Sequence, residues 1–149
     1  MTTPYRERTG GLPARLALVL CLLGTAISAY LTYEHSTDSR TLACSGTGAV
    51  NCLKVTTSQW SQIAGVPVAV AGLAFFLAMT LLCAPTRFAA EVGLLRLVGV
   101  LFGTAMVLWL IYVEIFLVEA ICSWCTAVHV VTVALLATIL WWREHDRMS

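Results

Sequence analysis

Six cysteines occur in the 149 residues, and four of them form two spaced pairs. Cys122 and Cys125 bound "CSWC", and Cys44 and Cys52 bound "CSGTGAVNC". A Cys-x-x-Cys pair can be a redox couple, half of a metal site, or two small residues in a core. At a helix start, positions i and i+3 share a face, so the two sulfurs can meet. The partial positive charge and unpaired N–H groups of a helix N-terminus favour a thiolate, the species that attacks disulfides. Cys125 lies about 4.5 Å further along such a helix than Cys122, at ~1.5 Å per residue. Gly46 and Gly48 make the interval between Cys44 and Cys52 flexible, and it is long enough to close a disulfide without strain. Two pairs in series would relay two electrons. The plainer alternative is two static bridges. A zinc knuckle is disfavoured, because its ligands are usually separated by about two to four residues. Thr126 follows Cys125 where c-type haem attachment needs histidine. No metal ligand set is assigned.

The elements that must position these residues are membrane helices. Hydrophobic residues make up 59% of the chain and charged residues 11%, against about 45–50% and about 25% in soluble domains. Four apolar runs, at about residues 12–33, 65–84, 97–118 and 122–142, each approach the ~20 residues that cross a bilayer. Lipid offers no partner to backbone polar groups, so each run is expected to be helical. The fold class is thus an all-α membrane protein, a single domain over residues 1–149. It is a four-transmembrane-helix bundle with an external cysteine loop between helices 1 and 2. The first 29 residues also fit a signal peptide, but the apolar run continues past Ala29, which favours a retained helix. No basic stripe would track phosphates, so nucleic acid is not a partner.

Orientation follows from arginine and lysine. Arg6, Arg8 and Arg15 precede or open helix 1, Arg87 and Arg96 lie between helices 2 and 3, and Arg143 and Arg147 follow helix 4. Only Arg40 and Lys54 lie in the loop between helices 1 and 2. Both termini are therefore expected in the cytoplasm, with Cys44, Cys52, Cys122 and Cys125 outside, where disulfides persist. Cys122 then lies nearer the water and meets a protein thiol, while Cys125 lies nearer lipid and meets an oxidant dissolved there. Cys21 and Cys83 read as small apolar fillers.

Other residues carry weaker signals. "LKVTTSQWSQIAG" is either a plain loop or a short amphipathic helix with Trp60 at headgroup level. His129 lies one turn beyond Cys125 and is either a hydrogen-bond donor or proton acceptor near the sulfurs or a buried histidine without a chemical role. Glu114 is expected to pair with a polar neighbour, a catalytic role being the alternative, and Glu119 to be solvated. Pro67 suits the first turn of helix 2. Gly72 permits close approach, and Gly99 and Gly103 favour close helix packing. Trp141 and Trp142 read as an interfacial anchor.

Through "CSGTGAVNC", "KVTTSQW", "GVPVAVAGL" and "CSWC", the chain resembles the vitamin K epoxide reductase family, including its bacterial disulfide-forming homologues. Cys44 and Cys52 match the family's loop pair, Ser58 its loop serine or threonine, Trp60 a loop aromatic, and Cys122 and Cys125 its active-site pair. The resemblance implies a four-helix bundle around a quinone, of menaquinone or ubiquinone type. It implies that Cys125 faces the quinone, that Cys122 exchanges with the loop through Cys52, and that Cys44 meets the protein partner. Ser58 and His129 are the cofactor-binding candidates. The epoxide-reducing enzymes carry a tyrosine where this chain has His129, and their asparagine near the quinone has no clear counterpart. The resemblance therefore implies a bacterial-type quinone oxidoreductase of the inner (plasma) membrane. Its partner is expected to be a separate secreted or periplasmic thiol oxidase of thioredoxin fold. The alternative from another class is a small cysteine-based metal-ion transporter.

Overall fold

A computed structural model describes residues 11–37, 48–85 and 92–148. Cys44, Arg6, Arg8, Arg40 and Arg87 lie outside the described residues. Long helices form over Leu12–Ser36 (α1), Val68–Cys83 (α3), Gly93–Tyr112 (α4) and Ser123–Met148 (α5), with a short helix at Cys52–Thr56 (α2). Pro13 sits in the first turn of α1, where its missing N–H leaves no bond unmade. Threonines inside the long helices satisfy themselves locally. Thr25, Thr80, Thr104, Thr132 and Thr138 each donate to the carbonyl four residues back, at 2.7–2.9 Å. An apolar solvent permits a hydroxyl on that condition.

α1 packs chiefly on α3 and α5, and α4 on α5 and α3, so the four long helices close into a ring. Its core holds Ala17, Cys21, Phe76, Met79, Cys83, Val100, Leu135 and Ile139. Cys21 and Cys83 are buried free thiols in mutual hydrogen-bonding contact, as small fillers would be. The outward faces are apolar: Leu81, Leu94 and Phe102 are among the most exposed side chains. Among the described residues, α1, α5 and the continuous segment Gly93–Val118 are long and apolar enough to cross a membrane. α3 has 16 residues, short of the usual span. The protein is mostly helical, as an all-α membrane protein must be.

Glycine lets the ring close. A Cβ at Gly24 would enter the ring of Phe76, and one at Gly103 would enter the ring of Phe75. The two phenylalanines meet edge to face with centroids 5.1 Å apart, so α3 presents aromatics to both neighbours. Gly99 faces the Met79 sulfur and Gly72 faces the Ser28 hydroxyl. The expected close packing is therefore present at all three glycines of that reading.

Five local expectations are corrected. Helix 2 does not start at residue 65, because Ile63 and Val66 pair across a two-residue turn in a small hairpin. Ala64 and Gly65 form that turn with φ of 52° and 81°, the backbone twist that tight hairpins require. Pro67 lies at the N-cap of α3 rather than inside its first turn. The loop after Cys52 is neither plain nor one amphipathic helix: α2, a 3-10 turn at Gln59–Ser61 and the hairpin follow one another. Trp142 is buried, with the Arg96 guanidinium 4.0 Å from its ring centroid, while Trp141 stays exposed. Adjacent helix positions point about 100° apart at 3.6 residues per turn, so the two cannot share one face. Arg96 accordingly belongs to the first turn of α4, not to the link between helices 2 and 3.

Candidate functional site

α4 does not stop cleanly. It widens into a π-turn over Val113–Val118 and ends at Glu119, whose φ of 54° is left-handed. The N–H of Ala120 then reaches back to the carbonyl of Glu114 at 3.1 Å. π-turns often mark functional places, because one extra residue re-aims the side chains around it. Here Val113, Glu114 and Val118 are buried, and Val55 of α2 packs on the cluster of Val113, Val118 and Ala120. The loop carrying Cys52 is thereby braced on the segment that leads to Cys122.

A second tie fixes the register of the cysteines. Val50 and Ile121 form an isolated parallel bridge. The N–H of Asn51 donates to the carbonyl of Ile121 at 3.0 Å, and the N–H of Ile121 to that of Ala49 at 2.9 Å. Cys122 follows Ile121 directly and Cys52 lies two residues beyond Val50, and both are fully buried. The Asn51 side chain accepts from the N–H of Lys54 at 2.9 Å, so α2 begins at Cys52. Cys52 is disulfide-bonded, whereas Cys122 and Cys125 are free thiols.

Cys122 stands one residue ahead of α5 and occupies its N-cap. Its carbonyl accepts from the N–H of Thr126 at 2.8 Å, and its sulfur accepts from the N–H of Cys125 at 3.2 Å. This is the role that Ser or Asp oxygen plays at other helix starts. The Cys122 thiol is held below the ordinary range, first by a hydrogen bond from the Cys125 thiol and further by the N–H groups of Cys125 and Trp124. Burial and the Glu114 carboxylate push the other way. Trp124, between the two cysteines, packs on Tyr30 with centroids 5.0 Å apart, which fixes the turn against α1.

Cys125 opens onto a cavity of 1180 Å³ between the helices and the loop. Phe75, Met106, Val107 and Leu110 are among its apolar walls, and Ser58, Glu114, His129 and Thr132 supply polar groups. An apolar space with a few polar groups beside a half-buried thiol fits a flat, hydrophobic ring carrying carbonyl oxygens. His129 is buried there, one turn from Cys125. Ser58 also lines the cavity, but its hydroxyl donates to the carbonyl of Val55 at 2.8 Å. It therefore offers the cavity acceptor lone pairs. Trp60 meets Trp109 at 6.4 Å and continues an aromatic row through Tyr112 to Phe116, anchoring the loop at one end of α4.

A model of the Vitamin K epoxide reductase family matches residues 15–140. The chain belongs to that family. Members are oxidoreductases, and the family points to a membrane redox enzyme, its members acting in disulfide and quinone chemistry.

Sequence reasoning leaves several cavity residues unnoticed. Ser28, Glu34, His35 and Thr132 line it, and Glu34 is buried. An acidic side chain in the last turns of an apolar run is the signal that points to Glu34. Ser28 and Thr132 carry none, because a hydroxyl bonded to its own helix is common anywhere in lipid. Glu119 is exposed, as expected.

Proposed function

We propose that the protein is a quinone-dependent thiol–disulfide oxidoreductase that reoxidises a thioredoxin-fold partner outside the cytoplasm. The observation that carries this is the parallel bridge at Val50 and Ile121. It ties the segment just before Cys52 to the residue just before Cys122, while Cys125 lines an apolar cavity, and this supports exchange between the two pairs. In this reading the four long helices cross the plasma membrane with both termini in the cytoplasm. Cys44 exchanges with the partner, Cys52 attacks Cys122, and Cys125 faces the acceptor. A quinone, when bound, supplies a two-electron, two-proton sink. His129 orients it, as does Ser58 once its hydroxyl turns from the Val55 carbonyl to a quinone oxygen, and Cys122 is the better leaving and attacking sulfur because its thiolate is stabilised. Among the described residues no three His, Cys, Asp or Glu side chains converge as a metal site would need, so no observation favours a metal-ion transporter.

Trapping tests the relay. Cys125→Ala should accumulate a Cys52–Cys122 disulfide, identified by mass spectrometry of non-reduced peptides. Adding a quinone to reduced wild-type protein in liposomes should restore the Cys122–Cys125 disulfide. No trapped species, together with no oxidation by any quinone, would overturn the reading.

A further inference from the structure

Glu114 is a carboxylate buried where charge is expensive. The π-turn aims it inward, and the backbone N–H of Cys122 donates to it. Its charge acts on both Cys122 and Cys125, and it lines the cavity that Cys125 opens into. The quinone-coupled relay above uses Glu114 nowhere, yet oxidising a dithiol must send a proton somewhere. In an apolar enclosure water cannot collect it freely.

We propose that Glu114 is the proton acceptor of the Cys122–Cys125 couple, a role that rests on the reading above. Cys122 enters as the thiolate and Cys125 as the thiol. The S–S bond forms between them and the S–H bond of Cys125 breaks. That proton goes to the Glu114 carboxylate, and the electron pair leaves to the quinone-class acceptor. Of the two protons that the acceptor needs, one comes from Glu114 and the other from solvent. The titratable groups nearby are Cys125 and His129 from α5, Cys122 just ahead of it, and Glu34 and His35 from α1, while Lys54 of α2 and Glu119 on the same segment are exposed. Glu114 faces the cavity and accepts from the backbone N–H of Cys122, so its carboxylate lies next to the reactive pair.

Glu114→Gln separates this role from a brace. The amide keeps an oxygen for the Cys122 N–H but cannot take a proton. Turnover from dithiothreitol to quinone should fall about a hundredfold at neutral pH, with the unfolding midpoint unchanged, and Glu114→Asp should recover part of it. Wild-type turnover and an unaltered pH profile in Glu114→Gln would overturn the proposal. So would a loss of activity that tracks a lowered unfolding midpoint and is not recovered by Glu114→Asp. A second measurement needs no quinone. Oxidising the reduced protein with diamide should produce a transient protonated-carboxyl band in the time-resolved infrared difference spectrum, absent in Glu114→Gln. A missing band in the wild type sinks the proton role, whereas failure of every quinone in the wild type sinks the oxidoreductase reading instead.

Discussion

Cys122 gathers three separate influences on one sulfur: a thiol donor, a helix start and a nearby carboxylate. The first two outweigh burial and the third, so the thiolate is favoured and its alkylation should persist below the pH at which an ordinary thiol stops reacting. The sign is fixed by which form the donors stabilise. Hydrogen bonds to the charged form lower the proton affinity, so reactivity survives as pH falls toward the depressed value. Cys125→Ala removes the largest donor, and the Cys122 alkylation midpoint should move up. Cys125→Ser, which keeps a donor, should fall between. Peptide-resolved mass spectrometry across a pH series reads both. If the midpoint ignores residue 125, the backbone N–H groups alone carry the effect.

At the scale of elements, long apolar runs are legible because hydrophobicity over twenty residues leaves few alternatives to a helix. The helix starting at Leu12 and the one opening at the CSWC pair stand close to where the runs place them. The start of α3 is less legible. The apolar run from residue 65 is continuous, yet Ala64 and Gly65 turn the chain and give its first residues to a hairpin. The π-turn leaves no pattern at all, since a single widened turn shifts no periodicity visible over one helix. Ala64 sits where a side chain costs about 1–2 kcal/mol. Ala64→Asn, giving the Asn-Gly pair that such turns prefer, should stabilise the protein by about 1 kcal/mol, read as a raised unfolding midpoint in detergent. The opposite is expected where helices touch. Gly24→Ala drives a methyl into the Phe76 ring, which is itself locked in the core. A loss of about 1–3 kcal/mol should follow, partly relieved by Phe76→Leu because the two changes share one contact.

For the whole molecule, the division of labour runs through one bridge. Cys52 and Cys122 are far apart in the chain, and no spacing in the sequence announces that Val50 pairs with Ile121. The order of the cysteines suggests the relay, but only the folded chain shows how its halves are joined. In the proposed relay the helical ring and its cavity hold one half-reaction, in which electrons leave Cys125, a residue of the cavity lining, toward the apolar interior. The loop holds the other, and two hydrogen bonds plus the packing of Val55 keep it in place. Breaking the bridge should therefore uncouple the halves without destroying either. Ile121→Pro removes the N–H that bonds the carbonyl of Ala49, and misplacement of a reacting group by about 1 Å can cost about a hundredfold. Oxidation of a thioredoxin-fold partner should fall by that order, while a small dithiol that reaches Cys122 directly should still drive reduction of a quinone. Equal loss of both activities would mean that the bridge supports the ring itself, and parallel loss of the unfolding midpoint would show it.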